Sequence, residues 1–115
     1  LGINLFYGNA TFVFSNNIVI ERSTKQREWI LFAHELCHYL RHAGLQVAMP
    51  TTFINLQEWQ AKQFAYHFCV PTFMLDDLEE VTVYEIMNQF NVDEEFAVRR
   101  LEMYQNKILF MKGIV

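Results

Sequence analysis

The amino-acid sequence predicts an α+β fold, in which a small antiparallel sheet packs on a buried helix and further helices follow. Three observations support this. Short apolar runs separated by turn residues fill the first 22 positions, residues 29–40 are apolar on nearly every side of a helix, and Gly and Pro are scarce. With 115 residues and a hydrophobic fraction of 52%, the chain has the length of one domain, residues 1–115, with a substantial core.

The strands are expected within residues 2–22. Residues 2–7 and 10–14 flank Gly8-Asn9, a dipeptide typical of a two-residue hairpin turn. Ser15-Asn16-Asn17 is a second turn signal, and Ile18-Val19-Ile20 is a third short apolar run. We therefore predict a three-stranded antiparallel meander.

The buried helix is predicted over residues 24–43. Ser23 and Gln26 have capping-box spacing at its start, and Gly44 is a normal signal for its end. The later helices are predicted from their caps and breakers: 56–70 between Asn55 and Pro71, an acidic turn or short helix at 76–80, and two helices within 82–104 that follow Thr82 and Asp93.

Charge and composition restrict the possible partners. The net charge is −4, and residues 71–95 carry eight acidic residues and no Lys or Arg, which is the opposite of what a nucleic-acid binder needs. We expect no membrane partner, since no apolar run is long enough to cross a bilayer. Two cysteines form no disulfide framework and favour a reduced, cytoplasmic location. A start at Leu1 is what a fragment or a processed product would show.

The buried helix contains His34-Glu35-Leu36-Cys37-His38, the HExxH pattern. Positions i and i+4 of a helix differ by only about 40° around its axis, so both imidazoles leave the same face and can hold one metal ion. Glu35 flanks that ion, where a general base for the attacking water is needed. Imidazole and carboxylate ligands favour Zn2+.

A catalytic zinc site takes three protein ligands, so one more is required. Glu58 is the first candidate, because it shares a helix face with Ala61 and Ala65, whose small side chains permit close approach to the buried helix. His42 is a second candidate, as it continues the i+4 series from His38. We interpret His67, Cys37 and Cys69 as structural or surface residues.

Two sequence blocks together resemble the ImmA/IrrE family of zinc metallopeptidases. Residues 32–40, Phe-Ala-His-Glu-Leu-Cys-His-Tyr-Leu, are followed by Glu58-Trp-Gln-Ala-Lys-Gln-Phe-Ala65 and by Val70-Pro71. Residues 17–20, 90–92 and 99–101 resemble the family's strand before the zinc helix and its C-terminal helices. The family commonly has Gly where this chain has Cys37.

The resemblance implies a minimal zincin-like metallopeptidase fold with His34, His38 and Glu58 as the zinc ligands and Glu35 as the catalytic acid/base. It also implies the function of a zinc-dependent endopeptidase acting on a protein substrate, a phage-type or stress-response transcriptional repressor, within a prophage or other mobile element. Tyr39 and Tyr66 are candidates for a second oxyanion donor. The strand at residues 18–22 is expected to offer its edge to an extended substrate.

Two other functions remain open from the sequence. A non-catalytic antirepressor would grip its partner through the same cleft, with zinc as a structural clamp. A DNA-binding regulator would use residues 83–104 as a helix-turn-helix, although Asp93, Glu94 and Glu95 would then open the recognition helix beside phosphates.

Overall fold

The computed structural model describes residues 2–41 and 49–113 and confirms the predicted α+β class. In these two described ranges, three strands precede five helices: β1 Asn4–Gly8, β2 Phe12–Phe14, β3 Asn17–Glu21, α1 Lys25–Arg41, α2 Thr51–Cys69, α3 Thr72–Asp76, α4 Val83–Phe90 and α5 Glu94–Met111. Within the described ranges, every helix is too short or too polar to cross a membrane.

The sheet is mixed, so the predicted antiparallel meander is wrong in its strand pairing. The strand order is β1-β3-β2, with β1 parallel and β2 antiparallel to β3. β3 takes the centre because it is the strand with the most buried side chains: Ile18 is fully buried and Ile20 is 1% exposed. The segment that connects β1 to β2 therefore passes the end of β3. It spans about 10 Å, which is two spacings between neighbouring strands.

Gly8 has a different role from the predicted hairpin turn. It is the last residue of β1 and lies opposite Glu21 of β3. A Cβ atom placed on Gly8 would lie 2.9 Å from Cγ1 of Val19, which is closer than carbon atoms normally pack. Glycine therefore permits the close approach of these two strands at this point.

Helix α1 begins at Lys25, one residue later than predicted, and its cap is one residue later too. Thr24, not Ser23, accepts the hydrogen bond from the Arg27 backbone N–H, at 3.1 Å. Glu28 reaches back to accept the Ser23 backbone N–H at 2.9 Å, so the two side chains satisfy donors at both sides of the helix start. The predicted end at residues 43–44 lies outside the described residues.

Helix α2 starts at Thr51, five residues before the predicted start, and Asn55 lies inside it. Pro50 is its N-cap, and no side chain there caps the first turn. The fixed φ of proline suits a helix start without a side-chain cap. The short helix α3 at 72–76 follows, somewhat before the predicted acidic turn.

The caps of α4 and α5 are confirmed. Thr82 accepts the Glu85 backbone N–H at 3.2 Å, and Asp93 accepts that of Phe96 at 3.0 Å. Helix α5 continues past the predicted end at Tyr104 to Met111. Helices α1, α2, α4 and α5 enclose one apolar cluster, and β3 with α1 encloses a second around Ile18, Ile20 and Leu36.

Candidate metal centre

Helix α1 places the two motif histidines side by side between the two apolar clusters. The ring centroids of His34 and His38 are 5.1 Å apart, as the i and i+4 spacing predicts. The His38 side chain is 8% exposed and that of His34 is 28% exposed. Solvent therefore reaches the pair mainly through His34, which is itself only partly exposed. Such partial exposure suits a site at the floor of a cleft.

Helix α2 brings the Glu58 carboxylate to this pair. Glu58 Oε2 lies 2.7 Å from His34 Nε2 and 3.3 Å from His38 Nε2. The approach is possible because the small side chains of Ala61 and Ala65 lie on the same face of α2. Ala61 is fully buried, and Ala65 is 3% exposed. The structure therefore brings together all three residues that the resemblance assigns to the metal.

Glu35 stands beside the same two histidines. One carboxylate oxygen of Glu35 and one ring nitrogen each of His34 and His38 all lie within 4.8 Å of one another. Burial raises the pKa of the Glu35 carboxyl, an effect that the charge of His34 opposes and that of Glu58 reinforces. A carboxyl group with a raised pKa both accepts and returns a proton more readily near neutral pH.

The donor set fits zinc. Two imidazole nitrogens and one carboxylate oxygen are ligand types that zinc favours, and ligand atoms around a tetrahedral zinc are about 3.3 Å apart. The distance from His38 Nε2 to Glu58 Oε2 is 3.3 Å. The distance from His34 Nε2 to the same oxygen is 2.7 Å, which is the length of a hydrogen bond. The Glu58 side chain is 43% exposed, which leaves an open side for water or substrate.

The third described histidine, His67, and both cysteines lie outside this cluster. His67 is exposed, and its Nδ1–H donates to the Gln63 carbonyl at 2.9 Å. Cys37 and Cys69 are buried free thiols, and burial raises the pKa of both, that of Cys69 to about 12. His42 lies outside the described residues.

A cavity of about 400 Å³ adjoins His34 and Glu35. It extends from the metal centre along α1 and α2 towards the start of α5, and its lining includes Ile30, Leu31, Lys62, Ala65, Tyr66 and Phe96. Sequence reasoning missed it. Ile30 and Leu31 lie on the α1 face that carries His34, which was a usable signal, whereas Phe96 is brought in by tertiary packing alone.

The predicted substrate contact at the edge of β3 is wrong, whereas the second oxyanion donor stays a prediction. The edge of β3 is not available to a substrate, because β3 is paired on both sides and Thr11 accepts the Glu21 backbone N–H. The Tyr39 hydroxyl donates to Asn16 Oδ1 at 3.4 Å. Tyr66 lines the cavity, but it lies two helical turns, about 12 Å, beyond Glu58 along α2.

The start of helix α5, which would lead a recognition helix, does not present a basic surface. Asp93, at the start of α5, forms a 2.7 Å ion pair with Arg27 of α1, and the neighbouring Glu95 lines the cavity beside the metal centre. The start of α5 is thus acidic and joined to the candidate site, which disfavours its use as a DNA-recognition helix.

Two of the proteins to which this chain is similar come from Bacillus subtilis (strain 168). The chain is 42% identical over 95 residues to the phage-like element PBSX protein XkdA of Bacillus subtilis (strain 168), covering 78% of this chain and 48% of that protein. It is 36% identical over 98 residues to the uncharacterized protein YqaB of the same organism, covering 80% and 57%. The chain therefore spans about half the length of these relatives. No solved structure matches it.

The family comparison covers both helices of the candidate centre. Residues 5–102 match the profile of Peptidase_M78, described as the IrrE N-terminal-like domain. This range contains His34, Glu35, His38 and Glu58, and it includes all of the sheet except Asn4. The chain belongs to the IrrE N-terminal-like family, Peptidase_M78.

Proposed function

We propose that the chain is a zinc-dependent endopeptidase with His34, His38 and Glu58 as metal ligands and Glu35 as the catalytic acid/base. One observation carries the proposal. The Glu58 carboxylate reaches the Nε2 atoms of both HExxH histidines, in a chain whose family is a peptidase family. Three protein ligands with an open side are typical of catalytic rather than structural zinc.

In the proposed hydrolysis, Glu35 transfers one proton from water to the leaving amine. A bound zinc ion would supply Lewis acidity, which polarises the scissile carbonyl and makes water easier to deprotonate. Glu35 accepts a proton as water adds to the carbonyl carbon. Glu35 then gives that proton to the amide nitrogen as the carbon–nitrogen bond breaks, so that a carboxylic acid and an amine leave and the Glu35 carboxylate is regenerated.

We propose a transcriptional repressor as the protein substrate, of the phage or stress-response type. The similarity to a protein of a phage-like element supports this choice, since a prophage is silenced by a repressor and cutting that repressor would release it. The acidic C-terminal half of the chain argues for a protein partner rather than for DNA.

Cleavage of a repressor-like protein encoded beside this gene tests the proposal. The purified zinc-loaded chain is expected to cut it at one position, located by intact-mass spectrometry. Glu35→Gln should retain zinc and lower the rate by about 10²–10⁴-fold, the usual contribution of a general acid–base. Glu28→Gln changes another buried carboxyl of the same helix and is expected to keep full activity. Full activity of Glu35→Gln would contradict the mechanism.

A zinc-containing antirepressor without catalysis is the second candidate. It would use the same cleft, and the 43% exposure of the Glu58 side chain leaves the metal centre accessible to a partner. Stable binding of the repressor by the zinc-loaded chain, with no cut and no effect of Glu35→Gln, would favour this function over hydrolysis.

A further inference from the structure

We propose that Lys62 is a catalytic residue, whose ammonium group donates a hydrogen bond to the scissile carbonyl oxygen as that oxygen becomes negatively charged. The inference rests on the proposed peptidase function and adds one residue to it. A donor aimed at this oxygen lowers the barrier, because the oxygen gains charge when water adds to the carbonyl carbon. Lys62 keeps its own proton throughout, so the proton transfers through Glu35 are unchanged.

Lys62 lies beside the candidate metal centre, one helical turn after Glu58 on α2. The i and i+4 spacing puts both residues on one face of the helix, about 6 Å apart along its axis. Helical side chains lean towards the N-terminus of their helix, so the Lys62 side chain extends over the turn that carries Glu58. Lys62 also lines the same cavity as His34 and Glu35, which brings it to the reaction cleft.

Among the described residues of the cavity lining, Lys62 is the one basic side chain without an acidic partner. The other basic residue there, Arg27, is held by Asp93 at 2.7 Å. No ion pair between described residues includes Lys62, although Glu95 also lines the cavity. The Lys62 side chain is exposed, so its ammonium group is available to a substrate oxygen.

The two tyrosines that the sequence offered for this role lie in less favourable places. The Tyr39 hydroxyl donates to Asn16 Oδ1 at 3.4 Å. Tyr66 lies two helical turns beyond Glu58 along α2, whereas Lys62 lies one turn beyond it. The flexible stem of a lysine spans about 6 Å from Cα to the ammonium group, which is enough to cover one helical turn.

Binding of two zinc-binding peptides tests the role by affinity. In the phosphinic peptide, a tetrahedral phosphinate anion with two oxygens replaces the scissile amide between two alanines. The thiol peptide, mercaptoacetyl-alanine amide, presents one sulfur and no second oxygen. Lys62→Met removes the ammonium group and keeps the side-chain length. Calorimetry on zinc-loaded Lys62→Met should show the phosphinic peptide bound at least about 10-fold more weakly than by the wild type, and the thiol peptide within about 2-fold.

Two further variants serve as controls. Lys62→Arg keeps a cationic donor and should retain most of the affinity for the phosphinic peptide. Lys107→Met removes an exposed lysine of α5 outside the cavity lining, and it should bind both peptides as the wild type does. All of these variants should hold as much zinc as the wild type, because Lys62 is not a metal ligand.

Kinetics on a repressor that the chain cuts give an independent measurement. Lys62→Met should lower kcat by about 10²-fold, the usual loss when one oxyanion donor is removed. KM should stay within about 3-fold, because the hydrogen bond forms only as the oxygen becomes charged. A rise in KM with unchanged kcat would overturn the proposed role of Lys62.

The binding outcomes separate this proposal from the peptidase function. Unchanged binding of the phosphinic peptide by folded, zinc-loaded Lys62→Met would overturn the role of Lys62 and leave the peptidase function standing. An equal loss of affinity for both peptides would also overturn it, because Lys62 would then support the centre as a whole. Failure of the wild-type chain to take up zinc, or to bind either peptide, would overturn both proposals.

Discussion

Cys69 illustrates how burial sets the reactivity of a single residue. Its side chain is 4% exposed within the apolar cluster, and burial raises the pKa of its thiol to about 12. Since the thiolate is the nucleophile, only about one molecule in 10⁴ is reactive at pH 8. We expect iodoacetamide to label Cys69 of the folded chain roughly 10³-fold more slowly than a free cysteine, as followed by mass spectrometry.

The urea-unfolded chain is the control for this labelling, because its thiol returns to an ordinary pKa. The raised pKa means that the folded state retains the thiol proton after the unfolded state has lost it. Stability from this group is therefore complete below about pH 8.5 and declines as pH rises towards 12. Labelling of the folded chain at the rate of a free thiol would contradict this burial.

At the scale of elements, Asp93 joins the start of α5 to α1. It caps Phe96 and also pairs with Arg27. Asp93→Ala should lower the free energy of unfolding by about 1–2 kcal/mol, mainly through the lost cap. Asp93→Asn retains a capping oxygen and should cost clearly less in urea denaturation, because a partly exposed ion pair contributes at most about 1 kcal/mol. Equal losses in both variants would show that the cap contributes nothing.

The strand pairing of β1 depends on the missing side chain of Gly8. Gly8→Ala should destabilise the chain by about 1–3 kcal/mol, since its Cβ would meet Val19 Cγ1 at 2.9 Å. Val19→Ala removes that methyl carbon, so Gly8→Ala made in the Val19→Ala background should cost much less. A thermal-denaturation cycle of the four chains measures the coupling, and additive effects would contradict the proposed contact.

The clustering of His34, His38 and Glu58 was more predictable than the pairing of the strands. The i and i+4 histidines and the alanine face that carries Glu58 are local helix periodicities, readable from the sequence. The pairing of β1 with β3 was not, because Gly8-Asn9 is equally compatible with a turn and with a close strand contact. The start of α2 was missed since Pro50 needs no capping side chain, and Ser23 and Thr24 are chemically equivalent as caps until their hydrogen bonds are known.

At the scale of the whole molecule, Arg100 connects α5 to the end of α2 through hydrogen bonds. It is 1% exposed and donates to the Val70 carbonyl and to Thr72 Oγ1, both at 2.9 Å. Arg100→Met would leave the Val70 carbonyl unpaired and should lower the free energy of unfolding by about 1–3 kcal/mol in urea. The adjacent Arg99→Met removes only an exposed pair with Glu102 and should change it by less than about 0.5 kcal/mol. Similar effects from both would contradict the role of Arg100.

The account as a whole depends on one ion held jointly by α1 and α2. Zinc content of the natively purified, dialysed chain, measured by elemental mass spectrometry, tests this most directly. We predict one zinc per wild-type chain and per His67→Ala chain, and almost none in folded His34→Ala or His38→Ala. A wild-type chain that holds no zinc and takes up none on addition, or a His34→Ala chain that holds as much as the wild type, would contradict it.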